Sequence, residues 1–382
     1  MTRVSGDWLD APATQAVMAM LDGAGHAAYA VGGCVRNALL GAPVADVDIS
    51  TDAHPERVIA LARAAGLKPV PTGVEHGTVT VVAEGLGFEV TTFRADVETD
   101  GRHAVVRFSD TVEEDAARRD FTMNALYADR HGRLIDPLGG LADLQARRVR
   151  FIGQPSDRIA EDYLRILRFF RFAAWYGDPD QGFDADALDG IARNLDGLEK
   201  LSRERVGAEL RKLMAAPDPG PAVAVMVQVG VLRAVLPGAD PGALGPLIAL
   251  EPALNLPPDA LRRLAALGCD GSEDLRHSKA DARRLALLHD ATGAPAGLAE
   301  LAWRHGADTA RDVAVLRAAM LDQPLPTDAT ERIDRGASAR FPVTARDLMP
   351  TYEGPALGQR LRELEARWIA SDFTLTRNDL LR

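Results

Sequence analysis

The sequence predicts an α+β chain, with an N-terminal α/β head built on a mostly antiparallel sheet and helices alone thereafter. Three observations carry this expectation. The β-rich runs "GTVTVVAEG", "GFEVTTFR" and "AVVRFS", separated by glycine or charged turns, all fall before residue 140. Beyond about residue 140 that pattern vanishes, and apolar residues recur at helical spacing in "DRIAEDYLRILRFFRFAAWYG" and "DADALDGIARNLDGLEKLSRERVGAELRKLMAA". The chain has 382 residues, 47% of them hydrophobic, enough for more than one domain and a sizeable core.

The head reads element by element. "HAAYAVGG" is a strand ending in a turn. "VRNALL" before Gly41 is a short helix with a glycine stop. "ADVDIST" alternates as a strand, and "HPERVIALARAAG" is an amphipathic helix with proline near its start and glycine at its end. A Pro/Gly-rich zone from "PDPGP" to "LPGADPGALGP" divides two helical regions. No fixed-period repeat or low-complexity tract is present. The expected division is a head over 1–140, a helical neck over 141–215, a helical body over 216–335 and a helical tail over 336–382.

Composition narrows the function classes. "MTRVSGDWLD" lacks the apolar stretch of a signal peptide, and no apolar run is long enough for a bilayer. Two distant cysteines, Cys34 and Cys269, exclude a disulfide framework or a cysteine zinc site and suit the cytoplasm. The net charge of −11 argues mildly against nucleic acid. However, between Arg147 and Arg171 seven arginines face three acids, a basic stripe that suits phosphates.

Gly32 and Gly33 stand where a strand hands over to a helix, so their backbone can approach a phosphate and offer N–H groups. Alone, such a pair reads first as a tight structural turn. Arg36, one turn on, can reach the same anion. Asp46 and Asp48 are i, i+2 on an expected strand and therefore share a face. Two adjacent carboxylates repel unless a divalent cation sits between them, and hard oxygens with substrate phosphates suit Mg²⁺. Two such metals clamp the attacking and leaving oxygens of a phosphoryl displacement. Glu89, on a strand that could lie beside Asp48, is a candidate third ligand, with an outward polar residue as the plain alternative.

"GGCVRNALLG" followed by "ADVDIST" resembles the signature of the nucleotidyltransferase superfamily, in the branch of bacterial tRNA CCA-adding enzymes and poly(A) polymerases. "TTFRADVETDGRHAVVRF" resembles that branch's flexible segment, and "RRDFTMNALYAD" its ribose-contacting motif. "IDPLGGLADL" resembles its head-to-neck joint, "EDYLRILRFFRFAA" its base-recognition helix, and "LSRERVGAEL" its neck motif. "FPVTARDLMPTYEGPALGQRLRELEARW" resembles, more loosely, an RNA-contacting tail. Residues 215–335 match no motif.

The resemblance implies that Asp46 and Asp48 are catalytic metal ligands, with Glu89 as a candidate third. It places Gly32, Gly33, Arg36, Arg118, Arg119, Asp120, Asn124, Asp162, Arg165, Arg168 and Arg171 on the nucleotide. Arg118 and Arg119 would hold triphosphate oxygens, and Asp120 and Asn124 the ribose hydroxyls. Asp162 and Arg165, three apart on a helix, are expected to be neighbours. CTP and ATP share an amine donor beside a ring-nitrogen acceptor, which an aspartate and an arginine match. UTP and GTP present the reverse, leaving the pair mismatched. The implied substrates are CTP, ATP and a tRNA 3′ end, the implied cofactor is Mg²⁺, and no membrane or protein partner is implied.

Two departures stand out. Many relatives carry proline where this chain has Tyr163, and arginine where it has Trp175. Neither touches the base-reading groups, so altered packing is expected. The reduced turn "EGPALG" puts tail contacts with tRNA in doubt. His289-Asp290 resembles half of a metal phosphohydrolase site, but the helical spacing reads as core. Three functions stay open: CCA addition to tRNA, poly(A) addition by the same chemistry, and a catalytically silent RNA-binding protein. The intact aspartates argue against the last, and "DGRHA" and the short tail favour the first.

Overall fold

The computed structural model describes residues 2–100, 103–270 and 275–382. The chain forms two compact units, one of Met1–Glu209 with Pro221–Val235, the other of Leu210–Gly220 with Leu236–Arg382.

The first unit is built on a seven-stranded sheet. Its strands are β1 (Tyr29–Val31), β2 (Asp48–Thr51), β3 (Lys68–Gly73), β4 (Thr78–Ala83), β5 (Leu86–Thr92), β8 (Tyr127–Asp129) and β9 (Leu134–Ile135). They run in the order β3-β4-β5-β2-β1-β8-β9, and every pairing is antiparallel except β2 with β5. Strands β6 (Arg94–Asp100) and β7 (His103–Phe108) form a separate antiparallel ribbon. Gly101 and Arg102, in the middle of the "DGRHA" stretch, lie outside the described residues.

Local sequence explains these elements. β4, "TVTVVA", alternates as a half-buried strand should, with Val79, Val81 and Ala83 inside. Helices Pro12–Asp22 and Pro55–Ala64 pack on that sheet region through Val17, Met18, Leu21, Val58 and Ala62. The second opens on Pro55, whose missing N–H costs nothing in a first helical turn. β3 carries Pro69 and Pro71, which the sheet tolerates because β3 is an edge strand. Its prolines hid this strand from a pattern reading.

β2 begins at Asp48, so Asp46 precedes the strand, not on it as the alternation suggested. A second correction concerns "EDYLRILRFFR". It is not one helix but two, Pro155–Glu161 and Leu164–Tyr176. Asp162 between them is extended, with φ −153° and ψ 103°. Its side chain accepts from the Leu164 N–H at 3.1 Å and its carbonyl from the Arg165 N–H at 3.0 Å. A short acidic side chain that satisfies the first free N–H groups starts a helix as well as it continues one.

The second unit is helical. Its core contains a buried ion cluster in which Arg262 and Arg263 both pair with Glu251, and Arg262 also with Asp312. Near the C-terminus, Trp368 and Leu364 centre a small apolar core with Val343, Leu348 and Leu380. His289 and Asp290 are exposed on the helix Lys279–Gly293. Among the described residues, no helix is long and apolar enough to cross a membrane.

Candidate active site

A cleft of about 420 Å³ opens in the first unit. Its walls gather Gly32, Gly33, Arg36, Asp48, Arg118, Arg119, Asp120, Asn124, Asp162, Arg165 and Arg168, together with Leu164, Phe172 and Arg205. Residues 32 to 205 in sequence thus meet in one place. Six arginines against three aspartates make the cleft cationic within an acidic chain, a setting that draws in polyanions.

The glycine turn comes first. Gly32 has φ 71° and ψ −116°, a conformation that a side chain resists. It caps the helix Gly33–Leu39, and its N–H donates to the Leu126 carbonyl. Gly33 is ordinary helix, where an added Cβ would meet only the tip of Arg36 at 3.8 Å. Only Gly32 is therefore glycine for conformational reasons.

The acidic edge lies at the start of β2. Asp48 and Glu89 are register partners on the parallel strands β2 and β5, so both project from one face. Although solvent reaches Asp48, the protein packed around its carboxyl raises its pKa above the ordinary value. The negative charge of Glu89 and, more weakly, that of Asp46 push the same way, and Arg119 opposes them. Among the described residues, no three Asp, Glu, His or Cys side chains close on a point as a finished metal cluster. Mutually repelling carboxylates at an open rim nevertheless fit a divalent cation that takes its remaining ligands from a substrate. Cys34 sits beside this edge. Burial, then the Asp48 charge, pushes its thiol up to about 11.

The arginine pair is held from below by Asp115, a buried residue that sequence reasoning missed. Asp115 accepts from Arg118 Nε at 2.8 Å, Arg119 Nη2 at 3.0 Å and the Tyr127 hydroxyl at 2.8 Å. Burial alone would raise its carboxyl; the two arginines and the tyrosine outweigh that and hold it below the usual range. The i,i+3 and i,i+4 spacing in "DAARR" was the available signal. Arg119 also reaches the Ser50 hydroxyl at 3.2 Å, which ties it to β2.

Asp120 is nearly enclosed. Its Oδ1 accepts from the Phe121 N–H and from Asn124 Nδ2, each at 2.8 Å. Its Oδ2 accepts from Arg168 Nε at 2.8 Å and from Arg168 Nη2. Burial again opposes the charge, and Arg168 leads the contacts that keep the pKa depressed. Arg36 donates to Asn124 Oδ1 at 2.5 Å and to the Tyr176 hydroxyl at 2.8 Å. Burial lowers its pKa, only partly offset by Tyr176 and Asp120.

At the base-reading end, Asp162 and Arg165 both line the cleft but do not pair, because the helix break turns their side chains to different partners. Asp162 Oδ2 accepts from Arg205 Nη2 at 2.6 Å. Arg165 donates to Glu161 Oε2 at 2.5 Å and to the Arg158 carbonyl at 2.6 Å. Arg205, from the "LSRERVGAEL" stretch, was not singled out by sequence reading. Arg171 is a further correction. It is not among the residues that line the cleft and instead donates to Glu209 at 2.6 Å. Each three-residue step falls about 60° short of a full turn, so Arg165 and Arg168 share a face that Arg171 has left. Tyr163 packs its ring where a Cβ at Gly197 would lie at 2.0 Å, so the tyrosine and the glycine fit together.

Residues 28–150 match the family model described as the poly A polymerase head domain. Residues 183–242 match that described as the probable RNA and SrmB-binding site of polymerase A. The chain is 41% identical over 224 residues to the CCA-adding enzyme of Geobacillus thermodenitrificans, covering 58% of this chain and 54% of that protein. It is 40% identical over 207 residues to mouse mitochondrial CCA tRNA nucleotidyltransferase 1, covering 54% of this chain and 48% of that protein. The chain thus spans about half the length of these curated relatives. The crystal structure of the Bacillus stearothermophilus CCA-adding enzyme in complex with CTP superposes with a TM-score of 0.75 at 27% identity, over 94% of this chain and 93% of that one. Across residues 28–150 and 183–242 the chain is thus similar to the poly(A) polymerase head and its RNA-binding region, and its fold is similar to that of the Bacillus stearothermophilus CCA-adding enzyme.

Proposed function

We propose that this chain adds C and A, from CTP and ATP, to the 3′ end of tRNA. The observation that carries the reading is the single cleft in which Asp48 meets both the arginine pair 118/119 and the base-facing groups Asp162 and Arg165. The relatives' names support it, since they are CCA-adding enzymes and CCA tRNA nucleotidyltransferases.

In this reading the tRNA 3′-hydroxyl oxygen attacks the α-phosphorus of the nucleotide, a phosphodiester bond forms, and pyrophosphate leaves. Arg118 and Arg119, fixed by Asp115, face the triphosphate and take its negative charge. Asp162 accepts from the base amine while Arg165 donates to the ring nitrogen, so both C and A satisfy the site and U and G leave it unpaired. Asn124, with Asp120 behind it, faces the sugar, and Arg168 holds Asp120. Asp46 and Asp48, with Glu89 beside them, would hold Mg²⁺, which when bound lowers the hydroxyl's pKa and offsets phosphate charge.

Residues 141–215 serve as the neck, 216–335 as the body, and 336–382 as a tail that contacts RNA. A cytoplasmic setting, in keeping with two cysteines far apart in sequence, belongs to the same reading.

The experiment is incubation with tRNA lacking its last three nucleotides and each labelled nucleoside triphosphate in turn. C and A incorporation supports the reading. Incorporation of A alone on any RNA would make the chain a poly(A) polymerase, and none at all an RNA-binding paralogue.

A further inference from the structure

We propose that Tyr176 is a positioning residue for sugar recognition, acting through Arg36 to fix the Asn124 amide in the cleft. The inference rests on the reading above that Asn124 faces the ribose.

An asparagine amide can present either its oxygen or its NH₂ group in a given direction, and only its partners decide. Here both partners are unambiguous. Arg36 has donors only, so the atom facing it at 2.5 Å is Oδ1. The Asp120 carboxylate has acceptors only, so the atom facing it at 2.8 Å is Nδ2. The carboxylate's own acceptor positions are filled by the Phe121 N–H, Asn124 and two Arg168 nitrogens. Direct contact with a sugar hydroxyl therefore falls to Asn124, whose second amide hydrogen has no protein acceptor among the described residues.

Arg36 can fix this amide only if it is itself held. It donates to Asn37 Oδ1 from Nε at 3.2 Å and from Nη2 at 3.0 Å, and to the Tyr176 hydroxyl at 2.8 Å. Its guanidinium carbon also lies 4.0 Å from the centre of the Tyr176 ring and 5.2 Å from that of Phe172. Tyr176 thus supplies both a cation-facing ring and an acceptor, from the last residue of the helix Leu164–Tyr176. The path runs from Tyr176 through Arg36 to Asn124 and Asp120, and ends on Arg168, which itself lines the cleft. Removing the tyrosine oxygen frees the guanidinium to shift, and the Asn124 amide, still held at Nδ2 by Asp120, loses the firm donor at its oxygen. The cleft then loses the rigidity with which the second amide hydrogen is aimed at the sugar.

The test is binding of CTP and dCTP to the full chain by calorimetry, in the wild type and in Tyr176→Phe, with thermal melting alongside. Phenylalanine keeps the ring and deletes only the acceptor. The wild type should favour CTP over dCTP. The variant should lose about fivefold of that preference, the size of one net hydrogen bond, with its melting midpoint little changed. Arg36→Lys should lose a similar factor, because one ammonium cannot serve both Tyr176 and Asn124 in their present places. A preference equal in wild type and variants, whatever the melting shows, overturns the inference, as does a wild type that binds the two alike. A chain that binds neither CTP nor ATP refutes the functional reading itself, which is a different result.

Discussion

Arg205 donates to the Asp162 carboxylate at 2.6 Å, so the proposed base-reading aspartate is oriented by the helix Arg203–Met214 and not by Arg165 three residues on. A carboxylate held at one oxygen keeps its other oxygen for a base amine, apart from the bond it accepts from Leu164 N–H.

Asp162→Ala should therefore lower CTP and ATP use together, by about 1–3 kcal/mol for each contact left unmade, and relax selection towards UTP or GTP. Arg205→Ala should weaken selection in the same direction but less, because Asp162 remains. Incorporation of all four nucleotides by each variant checks this. An unaltered preference for C and A in Asp162→Ala would reduce the residue to a helix start.

Asp48→Ala or Asp46→Ala should abolish incorporation of every nucleotide while tRNA binding stays largely intact, because in the proposed role these carboxylates serve the reacting phosphate and not the RNA. Filter binding alongside an incorporation assay checks both halves. Substantial remaining activity in either variant would remove the metal-holding role.

Acid should destabilise the first unit through Asp115 and Asp120, both depressed below the usual carboxylate range. A depressed carboxylate contributes stability that is complete above its unfolded value, about 4, and lost as pH falls through its lower folded value. The melting midpoint should therefore hold near neutrality and drop on acidification below about pH 4. Asp115→Asn, which leaves two arginines without their buried partner, should cost about 3–5 kcal/mol at pH 7 and flatten the acid limb. A wild-type acid limb unchanged by this substitution would count against Asp115 as the anchor.

RNA affinity should fall steeply with salt, because arginines that hold phosphates release counterions. The cleft arginines Arg118, Arg119, Arg165, Arg168 and Arg205 give that dependence its source. Affinity flat between low and moderate salt would argue against RNA as the substrate.

Much of this was legible in sequence because short-range patterns report local structure. The alternation of "TVTVVA" and the glycine at position 32 follow from periodicity and turn chemistry, whereas the place of Glu89's strand beside Asp48's was open in sequence and is fixed by the parallel pairing of β2 with β5. What stayed hidden depends on distant partners. Spacing suggested that Asp162 and Arg165 meet on one helix, but an extended residue between two helices reads the same in sequence as one inside a helix. Arg205 and Tyr176 gain their roles only when residues 43 positions from Asp162 and 140 from Arg36 fold together. Arg171 repeated the three-residue spacing of its neighbours, and the steady shortfall of that step turned it onto Glu209.

The central claim is that one protein cleft chooses C and A without a nucleic-acid template. Its most direct test is product length on tRNA lacking the last three nucleotides, read by denaturing electrophoresis. The account predicts two added residues with CTP alone, three with CTP and ATP, and none with UTP or GTP. A product that lengthens without limit on ATP alone, or that accepts all four nucleotides equally, would contradict it.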